Sequence, residues 1–313
     1  MAAALRIEAS TWQELPDMPV EKWEAATFVI DDKLYILGGY GAGVKSSKIG
    51  HIFDPSDGSW TRIQDLPSAI SHVNVALDGR VVWFAGGFKD GYKDHVIAEV
   101  WNYDLDLDRF TAAPLLPEKR GGGGLALFGR KLHYIGGLKE DRDTDAAEHW
   151  VLDLDEYAQG CAQWREEGAP MPVPRNQFSP IVFEGKLYLI GGQFHHDSAQ
   201  LDQSRVDIYD PEADTWNEGP SLPKGHSHSE GGTFIHDDTI YMVGGHTTPE
   251  GGRKSIDPDI LALASGGEWE LVGKLPVPLS SPAARIIGGK FYVAGGSLDG
   301  GSVQPKMWVA DAP

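Results

Sequence analysis

The chain has 313 residues, with 46 acidic against 27 basic side chains and a formal net charge of −19, a balance that argues against a nucleic-acid backbone as partner. Cys161 is the single cysteine, so no intrachain disulfide is possible and a reducing compartment is expected. No apolar run reaches 18 residues, and Met1-Ala2-Ala3-Ala4-Leu5-Arg6 lacks the basic and apolar regions of a secretory leader, so neither a membrane partner nor export is expected and the cytoplasm is the default location.

Taken in chain order, one pattern recurs six times. An aromatic residue (Trp12, Trp60, Phe110, Trp164, Trp216, Trp269) is followed after 26, 26, 26, 27, 28 and 26 residues by a glycine doublet. The doublets are Gly38-Gly39, Gly86-Gly87, Gly136-Gly137, Gly191-Gly192, Gly244-Gly245 and Gly295-Gly296. A spacing held this tightly marks an internal repeat of about 50 residues, the period of a propeller blade. Within each unit an apolar run ends in a short turn such as Asp31-Asp32, Asp78-Gly79, Gly129-Arg130, Glu184-Gly185 or Gly288-Gly289. A second run, as in Lys33-Leu34-Tyr35-Ile36-Leu37 or Lys186-Leu187-Tyr188-Leu189-Ile190, then leads into the glycine pair. These read as two strands joined by a tight turn. A Phe-Asp or Tyr-Asp pair (Phe53-Asp54, Tyr103-Asp104, Tyr209-Asp210) marks a third strand and the aromatic a fourth. No helical periodicity is long enough to compete.

Glycine pair, Tyr-Asp and Trp at fixed offsets resemble the kelch repeat, and the resemblance covers essentially the whole chain. It implies an all-β fold, a six-bladed kelch β-propeller with four antiparallel strands per blade, occupying residues 1–313 as a single domain. The chain opens on an unpaired fourth-strand signature, Thr11-Trp12-Gln13-Glu14-Leu15-Pro16, and closes on a third-strand segment, Lys306-Met307-Trp308-Val309-Ala310-Asp311. The N-terminal strand is therefore expected to complete the C-terminal blade and remove the open edges.

In such blades the loops after strand two and the crossovers into the next strand one share a face, and here these segments are long and irregular, as functional loops tend to be. Eight of 11 histidines map there: His72, His95, His149, His195, His196, His226, His228 and His246. Arg120 and Arg175 occupy one register in adjacent crossovers, with Asn176 beside the second, and are expected to hold an anionic ligand by bidentate bonds. His72, His195 and His246 are assigned to the same substrate-binding mouth, formed by blades three to five. His226, His228 and Glu230 alternate with period two, which on a strand points them the same way. His228, Glu230 and His149 are the expected acid–base groups.

Asp141-x-x-x-Asp145-x-x-x-His149 is similar to the Glu-x3-Asp-x3-His motif of plant nitrile- and thiocyanate-specifier proteins, which are kelch propellers that use Fe²⁺. The resemblance implies a site for Fe²⁺, or for Mn²⁺ or Zn²⁺, at Asp141, Asp145 and His149, although Asp141 stands where that family has Glu. Kelch relatives that interconvert sialic acid isomers use an Arg and acid–base mouth without metal. Kelch-related galactose oxidases carry copper and a cysteine–tyrosine crosslink, but Cys161 maps to the opposite face. No organic cofactor is expected. Two functions follow: a small-molecule enzyme or binder with lyase- or isomerase-type chemistry on an anionic or sugar-like substrate, or a protein–protein interaction module using the same face. The second requires exposed aromatics, for which Trp23, Tyr40, Phe88, Tyr92 and Phe194 are the candidates.

Overall fold

The computed structural model describes residue 7 and residues 11–89 and 95–313; Tyr92 and the first six residues lie outside the described residues. Six four-stranded antiparallel sheets follow one another around the chain. Blade one comprises Ala26–Ile30, Lys33–Leu37, Gly50–Asp54 and Ser59–Arg62. Blade two comprises Val75–Asp78, Val81–Ala85, Val100–Asp104 and Arg109–Ala113. Blade three runs from Gly124–Phe128 to Arg165–Glu166, blade four from Ser179–Phe183 to Thr215–Glu218, and blade five from Phe234–His236 to Glu270–Lys274. In blade six Ala283–Ile287, Lys290–Ala294 and Met307–Asp311 are completed by Gln13–Leu15, whose Glu14 faces Trp308. The ring therefore closes through the N-terminal strand, as expected. A single short α-helix, Leu154–Ala158, interrupts the β pattern among the described residues, between the third and fourth strands of blade three and capped by Asp153.

The turn between strands one and two stays short because the residues in it tolerate a left-handed backbone: Asp31 and Asp32 have φ of 53° and 56°, the geometry that matches strand twist in a two-residue hairpin. Apolar burial is divided among the blade interfaces. One cluster joins blades one and two around Phe84, Tyr103 and Ile70; another joins blades five and six around Phe234, Phe291 and Val293. Each such aromatic or aliphatic side chain contributes about 1.5–3 kcal/mol when fully buried.

The repeated residues stitch these interfaces. Indole Nε1 of Trp164 donates to the carbonyl of Pro114 in the preceding blade, at 2.9 Å; Trp216 donates to Ala169 and Trp269 to Pro220 in the same way. Phe110 keeps the ring contact without a donor, stacking on Tyr103 at 4.5 Å. The glycine doublet makes the complementary contact near the axis. Gly192 N–H donates to the carbonyl of His226 in the next crossover at 2.8 Å. A Cβ on Gly191, whose φ is 63°, would stand 2.3 Å from that carbonyl oxygen, so the close approach admits only glycine.

Candidate functional site

The six crossovers into strand one superpose by register, and two positions in each decide what faces the axis. The first position holds Lys22, Ile70, Arg120, Arg175, His226 and Leu279. Their carbonyls accept from the second glycine of the preceding blade, as in Gly87 N–H to Arg120 O and Gly296 N–H to Lys22 O. Their side chains turn away from the mouth. Arg175 is fully buried; it donates to the carbonyls of Gly191 (2.6 Å), Leu189 (3.0 Å) and Val173 (3.0 Å) and to Asp207 (2.7 Å), itself fully buried. Arg120 is equally buried, paired with Glu118 and Glu148 at 3.0 and 3.1 Å and lying over the Trp150 ring at 4.6 Å. The register shared by the two arginines is real, but a guanidinium locked this way does not reach a ligand. Asn176 is spent likewise, on Asp145, the His195 carbonyl and Gln193.

His149 also lies elsewhere than expected. It begins the third strand of blade three, completely buried, with Nε2 2.8 Å from His133 Nδ1 and Nδ1 3.0 Å from the Ala169 carbonyl. Burial first, and then the neighbouring His149, push His133 down to about 3, and burial lowers His149 as well. This is a neutral core pair, and with both ring nitrogens engaged His149 neither titrates at the mouth nor joins Asp141 and Asp145. Asp141 instead closes its own loop onto Thr144, and Asp145 holds Asn176 and the His195 amide. The Fe²⁺ set implied by the specifier-protein motif therefore does not fit these residues. His195 stays exposed on the rim, 3.6 Å from Asp143.

The second register position, two residues on, is occupied by Glu24, His72, Gly122, Gln177, His228 and Ser281, all with φ between 40° and 60°. Since all six blades share it, this left-handed turn belongs to the crossover itself and is not a strain peculiar to one side chain. The turn aims these residues at the axis. Glu24 Oε2 lies 2.6 Å from His72 Nε2 and Glu24 Oε1 lies 3.6 Å from His228 Nε2. Among the described residues, Glu24, His72 and His228 alone form a group with ligand atoms within 4.8 Å of one another. Burial holds His228 well below its usual value, so its imidazole is neutral.

Aromatic rings pack behind this centre. His72 meets the edge of Phe88 at 4.6 Å and of Tyr40 at 5.5 Å, and His246 stacks on His228 at 4.2 Å. The loops of blades three and four reach over it: Arg142 lies 4.7 Å above Phe88 and pairs with Asp197, which also holds His196 at 2.7 Å. The period-two reading of His226, His228 and Glu230 is corrected here. The backbone turns left-handed at His228 and enters a 3-10 turn at Glu230, so His226 points outward to Asp257, His228 to Glu24 and Glu230 into the channel.

Below the ring runs a channel of about 480 Å³, lined by the first strands of all six blades. Glu24, Glu230, Gln177 and Asn74 supply its polar upper wall. Burial, reinforced by Glu24, pushes the Glu230 carboxyl up to about 8, although part of its surface faces the channel. Arg285 enters from blade six. In every blade one residue of strand one lies opposite a ring-bearing residue of strand two (Tyr35, Trp83, His133, Tyr188 and Tyr241 in the first five), and in those five blades it is apolar: Phe28, Ala76, Ala126, Ile181 and Phe234. Arg285, opposite Tyr292, takes that place in the sixth. Its Nη1 donates to the carbonyls of Gly231 (2.8 Å) and Ala284 (2.6 Å) and its Nη2 to Thr27. No carboxylate pairs with it among the described residues. Burial lowers it to about 9, which leaves it charged at neutral pH. Repeat alignment makes Arg285 visible in the sequence, as the one charged residue in an otherwise apolar column; histidine counting does not.

The Kelch motif matches residues 24–67 and 174–223. The chain is 26% identical to the Kelch repeat-containing protein At3g27220 of Arabidopsis thaliana over 94% of this chain and 73% of the relative. It is 23% identical to the Kelch-like protein terF of Aspergillus terreus, over 96% of this chain and 68% of that one. It is 28% identical to Kelch-like protein 26 of Danio rerio, of which it covers 38%. The solved structure of YjhT superposes with a TM-score of 0.74 at 17% identity, over 94% of this chain and 96% of that chain, a likeness of fold.

Proposed function

This chain belongs to the kelch-repeat family, and from that premise we propose that it binds and transforms a small anionic molecule in the central channel. The observation that carries this reading is Arg285: a charged guanidinium facing a cavity of about 480 Å³ that, among the described residues, lies 5.6 Å over the Phe234 ring and hydrogen-bonds backbone carbonyls but no carboxylate. Three of its five N–H groups are used, and Nε–H with one Nη2–H remains for a ligand carboxylate. Glu230 lines the wall above with Glu24 nearby, so a carboxylate on Arg285 places the rest of the molecule beside a carboxyl, Glu230, able to take and return a proton. Proton transfer at carbon or at a ring hydroxyl is isomerase- or lyase-type chemistry, and it needs no organic cofactor. Small sugar acids and keto acids are the substrate class.

Isothermal titration calorimetry with a panel of small carboxylates, including a uronic acid and a 2-keto acid, tests this on wild type and Arg285→Gln. At least one ligand is expected to bind wild type and to weaken about 10–100-fold in the variant, the worth of a charge-assisted hydrogen bond. Binding that is equal in both proteins contradicts the assignment.

The same face also supports a second reading, a protein-interaction surface. The relatives favour it, since several carry the name Kelch-like protein and protein recognition is the role the kelch resemblance most often implies. Of the aromatics it was expected to use, Trp23, Tyr40 and Phe88 are buried and Phe194 is half-buried. The contact would therefore rest on the rim loops carrying His195, Asp143 and Phe194. Replacing those loop residues and finding carboxylate binding unchanged separates the two.

A further inference from the structure

Hydrogen-bond direction at the mouth fixes a proton. Ser227 Oγ donates to Asp202 Oδ1 at 2.7 Å, and the same hydroxyl lies 2.7 Å from His228 Nδ1. A serine hydroxyl has one proton, and it is committed to the carboxylate, so His228 Nδ1 carries its own hydrogen and donates it to Ser227. Nε2 of the neutral ring is then a bare lone pair, and it faces Glu24 Oε1 at 3.6 Å. Two electron-rich atoms aimed at each other in a buried site repel unless a cation lies between them. His72 has the same two kinds of neighbour, with Nδ1 2.9 Å from Ser71 Oγ and Nε2 2.6 Å from the other oxygen of Glu24, but no second acceptor commits the Ser71 proton.

We infer that Glu24, His72 and His228 form a binding site for one divalent transition-metal ion at the top of the channel. Two imidazole nitrogens and a carboxylate oxygen suit Zn²⁺, Mn²⁺ or Fe²⁺ and leave coordination positions open. Ligand atoms within 4.8 Å of one another are brought onto a single ion, with bonds of about 2.1 Å, by small rotations of the three side chains. Asp202 and Ser227 fix the ring and tautomer of His228, and Ser71 holds the ring of His72. His246, fully buried and stacked on His228, has neither ring nitrogen hydrogen-bonded among the described residues, so the polar groups around this centre are not all met by them. The site differs in residues and in blades from the Asp141, Asp145 and His149 set. It rests on the mouth being functional, but not on Arg285 binding an anion.

The test is a titration of the full-length, chelator-treated protein with Co²⁺ alone, read by visible absorption, with no carboxylate present. One equivalent is expected to bind wild type with a spectrum showing nitrogen ligation. His228→Gln and Glu24→Gln should each weaken binding at least tenfold, Ser227→Ala about tenfold, and Asp145→Asn not at all. Zn²⁺ added to ¹⁵N-histidine-labelled wild type should shift two Nε2 resonances, a readout that does not depend on the variants folding. Absence of Co²⁺ binding at millimolar metal overturns the inference. So does binding that His228→Gln and Glu24→Gln both retain, or Zn²⁺ that shifts no Nε2 resonance. Carboxylate binding in the metal-free protein is measured separately, so either claim can fail alone.

Discussion

Blades three and four and blades one, two, five and six use the same crossover registers for opposite ends. In three and four, Arg120 and Arg175 sit on the register turned away from the mouth, with Glu148 and Asp207, and fasten each crossover to the blade it enters. The axis-facing register there is Gly122 and Gln177, without ionisable groups. In blades one, two and five the axis-facing register carries Glu24, His72 and His228, and blade six adds Arg285 from its inner strand. Similar residue types are locked into the structure on one side of the ring and face the channel on the other. A difference of two positions along a left-handed turn decides which.

The largest effect expected from breaking this comparison is at Arg175. Arg175→Ala strips a fully buried Asp207 of its main buried cationic partner and removes a donor from three carbonyls, and should lower unfolding free energy by about 3–5 kcal/mol in a denaturant titration. An effect below about 1 kcal/mol would mean that the clip is not structural. Next is the core pair. With His133 at about 3 when folded and near 6.5 when unfolded, the unfolded chain binds a proton between those values that the folded chain does not. Stability should therefore be flat above pH 6.5 and fall below it, by on the order of 2–3 kcal/mol at pH 4 from this pair. His133→Phe should reduce that acid slope in pH-dependent melts, and an unchanged slope would show that the pair does not carry it.

Gly191→Ala forces a side chain into 2.3 Å contact with a backbone oxygen at positive φ, and about 2 kcal/mol of destabilisation is expected. Neutral behaviour would show that the blades do not meet as closely as described. The smallest stability change belongs to the residue with the largest ligand effect: Arg285→Gln should alter folding by less than about 1 kcal/mol, because water in the channel can replace its bonds to carbonyls. Loss of both stability and binding would place Arg285 with Arg175 as a structural arginine.

The architecture was legible before any coordinates because each repeated residue has one physical task at one offset. Gly191 must lack a Cβ, Trp216 must reach across to Ala169, and Gln13–Leu15 must find an edge to pair with. The site was legible only in part. The sequence puts His72, His228 and Glu230 on one face, and the structure brings all three to the axis there. The local pattern around His149 suggested a ligand set, but strand pairing opposite Ile135 turned that ring into the interface with blade four. The even spacing of His226, His228 and Glu230 presumed an extended backbone that the left-handed turn at His228 removes. Glu24 and Arg285 come from blades with few histidines, and only column-by-column alignment of the repeats reveals them.

The most direct test of the central claim is a crystal structure of the protein soaked with the tightest-binding small carboxylate. Density for the carboxylate on Arg285, with the body of the molecule between Glu24 and Glu230, is the result expected. A ligand seated on the blade three and four loops, or reaching Arg120 or Arg175 with the channel holding only water, would contradict the account.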